Sequence, residues 1–224
     1  MSINRRSADQ VLGCLFGGAI GDAVGYPFEG SDASAILRPL EPGFISDDTQ
    51  LTLATCEAIV AAGAVDPATI AERFVHWHRN RNLTGLGAST AKAIVELAAG
   101  AHWALVGHKG EMSAGSGAAM RIAPLAFCLA PDDHDSRRTL RDVSRITHHN
   151  DEAYIGALAV VIALRAAWTG SWRGDETLIA RVASCLPDSR VRDRCLEVAA
   201  SGLADVREVA ARFGNSAGRL RHAG

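Results

Sequence analysis

The stretch FISDDTQLTLATCEAIVAAG, residues 44–63, places two adjacent carboxylates, Asp47 and Asp48, directly before a long apolar run. Two interpretations are open. Asp47 with Gln50 three residues later matches a capping box, and acidic residues in the first turn of a helix are favoured by its dipole. Alternatively, the carboxylates and the neighbouring hydroxyls supply several hard oxygens, which suit Mg²⁺, Mn²⁺ or Ca²⁺. Either way, the stretch predicts a helix over about residues 50–63.

The length and composition predict one globular domain over residues 1–224. The chain is 48% hydrophobic and 21% charged, and folding at this size buries roughly 70% of the surface of the unfolded chain. The net charge is −2, and Lys and Arg are spread along the chain, which argues against nucleic acid or an anionic membrane as a partner. Glycines and Asp22 interrupt the first apolar segment, so we expect neither a signal peptide nor a membrane span.

The cysteines indicate a reducing compartment. Their number is odd, they form no CxxC pair, and each lies in an apolar or amphipathic run, which favours small core residues over disulfides. We therefore expect a cytoplasmic protein. The five are Cys14, Cys56, Cys128, Cys185 and Cys195.

The periodicity along the chain is helical, with no convincing alternating strand, and it predicts an all-α, compact multi-helix domain. Asp66 is a plausible N-cap with Pro67 at the first helical position, where proline is tolerated. The predicted helices span about 8–23, 50–63, 67–80, 88–106, 117–129, 138–147, 152–169, 175–185, 190–200 and 205–213.

Glycines recur every four residues on one face of the first predicted helix, at Gly13, Gly17, Gly21 and Gly25. Each costs about 1 kcal/mol against alanine in a helix interior, which predicts a close approach of another backbone to this face. Tight helix packing is one interpretation. The other is that the helix end, with Asp22 and then Glu29, lies against a ligand pocket.

Two further segments carry candidate binding residues. In GSGAAMRIAPLAF, residues 115–127, a small-residue loop enters an apolar run, so backbone N–H groups at a helix start could hold a phosphate. In ITHHNDEAYIGALAVVIAL, residues 146–164, adjacent histidines point in different directions and do not make a chelating pair. Asn150 or Asp151 is an N-cap on one interpretation, and His148 turns into a pocket on the other.

Together these segments resemble the ADP-ribosylglycohydrolase family, which includes the dinitrogenase-reductase-activating and ADP-ribosylarginine hydrolase-like proteins. Five segments match in order over residues 11–159. They are GCLFGGAIGDAVGYPFE, SDDTQLTLATCEAI, WHRNRNLTGLGASTAKAI, GSGAAMRIAPLAF and ITHHNDEAYIGALA.

The resemblance implies an all-α fold around a cleft that holds two divalent ions, Mg²⁺ or Mn²⁺, against the ribose of ADP-ribose. By position, Ser46, Asp47 and Asp48 match the family's first metal-ligand triplet, and Glu29 matches its acidic residue after the first helix. The family's diphosphate and ribose contacts fall on the remaining matched positions, which are Ser116, Gly117, Met120 and His148.

The resemblance also implies a reaction, the hydrolysis of ADP-ribose from a side chain such as arginine or from related ADP-ribosyl linkages. Cleavage at the anomeric carbon builds oxocarbenium character that carboxylates can stabilise, and two metals about 3.5–4 Å apart polarise hydroxyls and activate water. Glu29, Asp47 and Asp48 are the expected catalytic residues, with Glu29 positioning or deprotonating the water. An ADP-ribosylated protein or an ADP-ribose-containing small molecule is the expected partner.

One part of the family pattern is not found. Relatives carry a later Gly-Gly-Asp-Thr-Asp-Thr segment that completes the two-metal site, and this sequence has nothing of that kind. We therefore expect a C-terminally truncated domain. Its alternatives are a catalytically impaired ADP-ribose-binding protein and a structural or interaction protein on the same scaffold.

Overall fold

The helical periodicity of the sequence becomes eight α-helices in the computed structural model, which describes residues 5–29, 43–172 and 177–202 together with 208, 209 and 212. The fold class predicted from the sequence, all-α, is confirmed. The helices are α1 (Arg5–Gly25), α2 (Asp47–Ala62), α3 (Pro67–Arg79), α4 (Ala88–Ala98), α5 (His134–Arg145), α6 (Asp151–Thr169), α7 (Leu178–Cys185) and α8 (Arg190–Ala200).

Side-chain caps fix where several helices begin. Asp66 accepts a hydrogen bond from the backbone N–H of Thr69, with Pro67 following, as predicted. Asn150, rather than Asp151, caps α6 by accepting from the N–H groups of Glu152 and Ala153. Local residues also determine where two helices end, because α2 and α6 both end at a glycine in the left-handed conformation.

The core lies around α6, which packs against α5, α7, α8 and the 3₁₀ turns Ala119–Arg121 and Ala123–Phe127. On the other side of these turns lies α2, which packs in turn against α3. The side chains shared by these elements are fully buried and apolar, among them Leu51, Phe74, Ile122, Leu125 and Leu158.

Two very short parallel strands, β1 (His108–Lys109) and β2 (His148–His149), pair with His108 opposite His148. The sequence did not predict them because two residues are too few for an alternating pattern. Their pairing holds the segment before α6 against the segment after α4, and so places His148 in the interior.

Two predicted helices are wrong in part. The helix over 88–106 ends at Ala98, because Ala99 closes it and Gly100 has a positive φ of 94°. The helix over 117–129 is replaced by two 3₁₀ turns on either side of Ile122, since Pro124 offers no backbone N–H. The predicted helix over 205–213 lies mostly outside the described residues.

The glycine face of α1 does not make the predicted close backbone approach. A methyl group added at Gly13, Gly17, Gly21 or Gly25 would meet no atom of the described residues within 4 Å. The tight-packing interpretation is therefore wrong for the described part of the chain. Leu12, Phe16 and Ile20, which follow one another at helical spacing, are 50–65% exposed on the same helix.

Two segments, Ser7–Phe28 and Asp151–Thr169, are long and apolar enough to cross a membrane by length and composition. Core helices and signal sequences share these properties, so they are weak indicators of a span. The second segment is α6, which packs in the core.

The cysteines are free thiols, and the expectation that they are core residues is wrong for Cys128 and Cys185, whereas Cys195 packs against the core. Cys128 and Cys185 are exposed and the other three are half-buried.

Candidate functional site

The start of α2 answers the question raised by its two aspartates. Ser46, and not Asp47, is the N-cap, because its hydroxyl accepts a hydrogen bond from the Asp48 N–H at 3.2 Å. The predicted capping box is therefore wrong. The Gln50 side chain instead donates to the carbonyl of Ile45 and to the hydroxyl of Thr84, and accepts from the Thr84 N–H. Because Ser46 caps the helix, the carboxylates of Asp47 and Asp48 in the first turn are available to bind another group.

Asp22, near the end of α1, holds this helix start in place. Its carboxylate accepts from the N–H and the hydroxyl of Ser46, at 2.9 and 2.7 Å, and from the N–H and the hydroxyl of Thr49, at 3.2 and 2.6 Å. Four bonds to one carboxylate satisfy two backbone N–H groups that the helix itself cannot pair. The sequence placed Asp22 at the helix end beside a possible ligand pocket, but it did not predict these hydrogen bonds, because the partners lie 24 and 27 residues away.

The neighbouring carboxylates repel one another. Asp47 is 6% exposed, and burial, followed by the charges of Asp48 and Glu29, raises its pKa to about 7. Burial, then the charges of Asp22 and Glu29, also raises the pKa of Asp48. Among the described residues no ion pair with a cationic side chain offsets this charge on Asp47 or Asp48.

The loop before α4 lies beside the Asp47 carboxylate, and Tyr26, in the 3₁₀ turn after α1, lies near the same loop. A methyl group at Gly85 would lie 3.5 Å from Asp47 Oδ1 and 3.2 Å from the Tyr26 hydroxyl, and the Gly87 backbone lowers the Asp47 pKa by hydrogen bonding. Glu29 follows the 3₁₀ turn Tyr26–Phe28 and is exposed. Its charge contributes to the raised pKa of both aspartates.

Thr52 joins this cluster to the second predicted segment. Its hydroxyl donates to the carbonyl of Asp48 at 2.7 Å and lies 3.3 Å from the carbonyl of Met120. The predicted α-helix start after this loop is wrong, because the described residues after Gly117 form 3₁₀ turns, while phosphate binding by the loop stays a prediction. Ser116 is exposed, and its carbonyl accepts from the Met120 N–H at 3.0 Å.

His148 lies directly beneath the loop of residues 115–117. A methyl group at Gly117 would come within 2.4 Å of His148 Cε1, 2.9 Å of its Nε2 and 3.1 Å of the Thr90 hydroxyl. The ring is 4% exposed. Of the two interpretations of this segment, the Asn150 cap is confirmed, and a ligand pocket at the buried His148 stays a prediction.

The His148 ring is neutral at physiological pH. Burial and the charges of Arg121 and His108 lower its pKa to about 4. A neutral imidazole offers one N–H donor and one acceptor nitrogen, and so suits hydrogen bonding to a polar ligand.

The donor chemistry at the start of α2 fits a hard divalent cation. Uncompensated carboxylates beside a serine hydroxyl are the oxygen ligands that Mg²⁺ and Mn²⁺ take, and Mg²⁺ commonly binds through one or two carboxylates with waters in its other positions. No three His, Cys, Asp or Glu side chains in the described part of the chain are arranged about one metal position. The site therefore suits the charge and ligand type of such an ion, and part of the coordination shell would come from Ser46, Asp47 and Asp48.

The raised pKa of Asp47 predicts a pH-dependent stability in chelator. Because the folded pKa of about 7 exceeds the ordinary value of 3.8, the folded state binds more protons, so stability falls as pH rises from about 4 to about 7. Asp47→Asn should raise the free energy of unfolding at pH 8 by roughly 1–3 kcal/mol and flatten this pH dependence. Urea unfolding with EDTA at pH 5 and pH 8 measures both effects. Asp132→Asn, at an exposed position, is the control, and an unchanged pH dependence in Asp47→Asn contradicts the prediction.

Comparisons with known proteins identify relatives of this chain. The family model of the ADP-ribosylglycohydrolases matches residues 2–223. The ADP-ribosyl-[dinitrogen reductase] glycohydrolase of Rhodospirillum rubrum is 30% identical over 63% of this chain and 52% of its own length. The ADP-ribosylarginine hydrolase Tri1 of Pseudomonas putida is 29% identical over 81% of this chain and 53% of its own length.

The likeness extends to the fold. A solved chain described as an ADP-ribosylglycohydrolase-related protein complex superposes with a TM-score of 0.64 at 23% identity, over 95% of this chain and 83% of its own. The chain spans about half the length of the curated relatives it matches. By the extent of the family match, the chain belongs to the ADP-ribosylglycohydrolase family.

Proposed function

We propose that this chain hydrolyses ADP-ribosyl linkages, with an ADP-ribosylated side chain such as arginine, or a small molecule carrying ADP-ribose, as substrate. One observation carries the proposal. The segment that carries the uncompensated carboxylates lies against the glycine loop above His148, because the Thr52 hydroxyl contacts the backbone carbonyls of Asp48 and Met120, and the Met120 N–H donates to the carbonyl of Ser116, next to Gly117. The names of the relatives support the same chemistry.

Ser46, Asp47 and Asp48 would hold a Mg²⁺ or Mn²⁺ ion. Bound there, the ion would supply Lewis-acid polarisation of substrate hydroxyls and a more acidic water. The carboxylates also stabilise positive charge that develops at the anomeric carbon. Ser116, Gly117 and Met120 would contact the diphosphate and ribose, with His148 donating or accepting a hydrogen bond beneath them.

Release of ADP-ribose from an ADP-ribosyl-arginine peptide tests the proposal directly. The purified chain is assayed with Mn²⁺ or Mg²⁺, then with chelator, beside Asp47→Asn. Metal-dependent release that the variant lacks is the expected result. A folded chain that binds free ADP-ribose without releasing it from the peptide would instead be a binding protein, and one that does neither would overturn both functions.

Glu29 is the proposed residue that positions or deprotonates the attacking water, since its charge reaches both aspartates. Glu29→Gln keeps the shape and removes the base, so turnover should fall by about 100-fold or more while ADP-ribose binding persists. Initial rates and calorimetric titration measure the two effects. Glu72→Gln, an exposed glutamate on α3, is the control, and unchanged turnover in Glu29→Gln sinks the assignment.

A further inference from the structure

Arg121 is a fully buried arginine that forms no ion pair within the described part of the chain. Its guanidinium lies 4.9 Å from the centre of the Phe74 ring, and burial lowers its pKa to about 9, so it stays charged at neutral pH. Nη2 donates to the carbonyl of Val143 at 3.0 Å and to the hydroxyl of Thr147 at 2.9 Å, while Nε and Nη1 have no hydrogen-bond partner in the described residues. Burying a charged group without an ion pair costs free energy, so we expect the buried Arg121 to have a role.

The hydrogen bond that Arg121 donates to Thr147 determines the direction of the hydrogen bond between Thr147 and His148. A guanidinium can donate but not accept, so the Thr147 oxygen accepts from Nη2. The same oxygen lies 2.8 Å from His148 Nδ1, and Thr147 is fully buried. If Nδ1 carried the imidazole proton, Thr147 would accept twice and its own O–H would have no acceptor among the described residues. The buried hydroxyl is satisfied when it donates to an unprotonated Nδ1.

We infer that Arg121 and Thr147 are positioning residues that hold His148 in its Nε2–H tautomer, so that this N–H is the donor beneath the loop of residues 115–117. Nε2 has no partner among the described residues and faces the glycines, where a methyl group at Gly117 would lie 2.9 Å away and one at Gly115 3.6 Å away. The ligand group received here is therefore an oxygen acceptor, such as a ribose hydroxyl or a phosphate oxygen. The ligand class rests on the proposed function, whereas the tautomer rests on the contacts alone.

The Thr147 hydroxyl can be removed or retained with little change in side-chain size. Thr147→Val removes the hydroxyl and keeps the branched shape, whereas Thr147→Ser keeps the hydroxyl. Arg121→Met removes the donor that orients it. Arg141→Met is the control, because Arg141 also lies over an aromatic ring, 4.7 Å from the centre of Tyr154, but is half-exposed, pairs with Asp151 and is outside this hydrogen-bonded chain.

Long-range ¹H–¹⁵N NMR of protein labelled at its eight histidines reads the tautomer at pH 7, with the His148 signals assigned by His148→Gln. The wild type, Thr147→Ser and Arg141→Met should show protonated Nε2 and unprotonated Nδ1. Thr147→Val and Arg121→Met should show averaged shifts from mixed tautomers. Calorimetry with free ADP-ribose should show about tenfold weaker binding for Thr147→Val and near-wild-type binding for Thr147→Ser.

A wild-type Nδ1–H tautomer, or a folded Thr147→Val that keeps the wild-type tautomer, overturns the inference. If Arg121→Met does not fold, the Thr147 pair decides alone. If the tautomers follow the expected pattern but no form of the protein binds ADP-ribose, the positioning of His148 stands, and the ligand class fails together with the proposed function.

Discussion

Alanine in place of Gly117 is expected to weaken the binding of free ADP-ribose by about tenfold or more, in a protein that still folds. The added methyl would lie 2.4 Å from His148 Cε1, closer than real carbon contacts allow, and 3.1 Å from the Thr90 hydroxyl on its other side. Both neighbours are buried, so neither can move aside into solvent. The ring of His148 must shift, and its Nε2 moves with it.

The same loop supplies a matched control. A methyl at Gly115 would meet His148 Nε2 at 3.6 Å, an ordinary contact, so Gly115→Ala should bind ADP-ribose nearly as well as the wild type. Neither glycine has a positive φ, so both substitutions differ from the wild type in side-chain volume and not in backbone strain. Overpacking of this kind typically costs about 1–3 kcal/mol of stability.

Calorimetric titration with ADP-ribose and thermal unfolding of the two variants make the comparison. His148 ¹⁵N shifts that move in Gly117→Ala and stay in place in Gly115→Ala would locate the effect at the ring. Equal affinities for the two variants would show that the space between Gly117 and His148 has no part in binding.

Local signals in the sequence were sufficient for most helix boundaries. Asp66 with Pro67, and Asn150 before α6, act through bonds to residues two or three positions away, and such short-range chemistry is visible in the sequence itself. Pro124 is also a local signal. The prediction of a single helix over 117–129 disregarded this signal, because the apolar spacing of the segment favoured a helix.

The contacts that organise the candidate site depend on tertiary structure. Asp22 reaches Ser46 and Thr49 from another helix, and Ser46 is preferred over Asp47 as N-cap because this partner orients it. Arg121 is a further case. A charged residue in an apolar run is ordinarily placed at the surface, and its burial follows from partners 22 and 26 residues along the chain. Contacts between residues so far apart in the chain cannot be read from the spacing of residues in the sequence.

The combined placement of these residues explains why the start of α2 can carry so much negative charge. Asp22 uses its charge to accept four hydrogen bonds, and so satisfies the helix start that Asp47 would otherwise cap. Asp47 and Asp48 are thereby left with raised pKa values and without a compensating cation in the described residues. The division of roles makes Asp22 a structural group and the next two aspartates the candidates for a metal ion.

Asp22→Ala should accordingly lower the free energy of unfolding by roughly 2–4 kcal/mol, even in chelator, and abolish metal-dependent release of ADP-ribose. Two backbone N–H groups and two hydroxyls lose their acceptor, and hydrogen bonds to a charged group are worth about 1.5–3 kcal/mol each, before partial replacement by water. Asp22→Asn should not restore stability, because its amide N–H₂ would face donors of Ser46 or Thr49. Asp9→Ala, an exposed aspartate on the same helix, is the control.

In chelator, the change in the free energy of unfolding caused by Asp22→Ala has opposite signs for this structural role and for direct metal binding. If Asp22 served solely as a metal ligand, its removal in EDTA would relieve the repulsion that raises the Asp48 pKa and so stabilise the protein. If it holds the start of α2, its removal destabilises the protein with or without metal. Urea unfolding of the wild type, Asp22→Ala and Asp22→Asn in EDTA therefore gives changes of opposite sign under the two roles. A rise in stability for Asp22→Ala would reassign Asp22 to the group of metal ligands, because the hydrogen bonds to Ser46 and Thr49 would then contribute less than the charge repulsion they accompany.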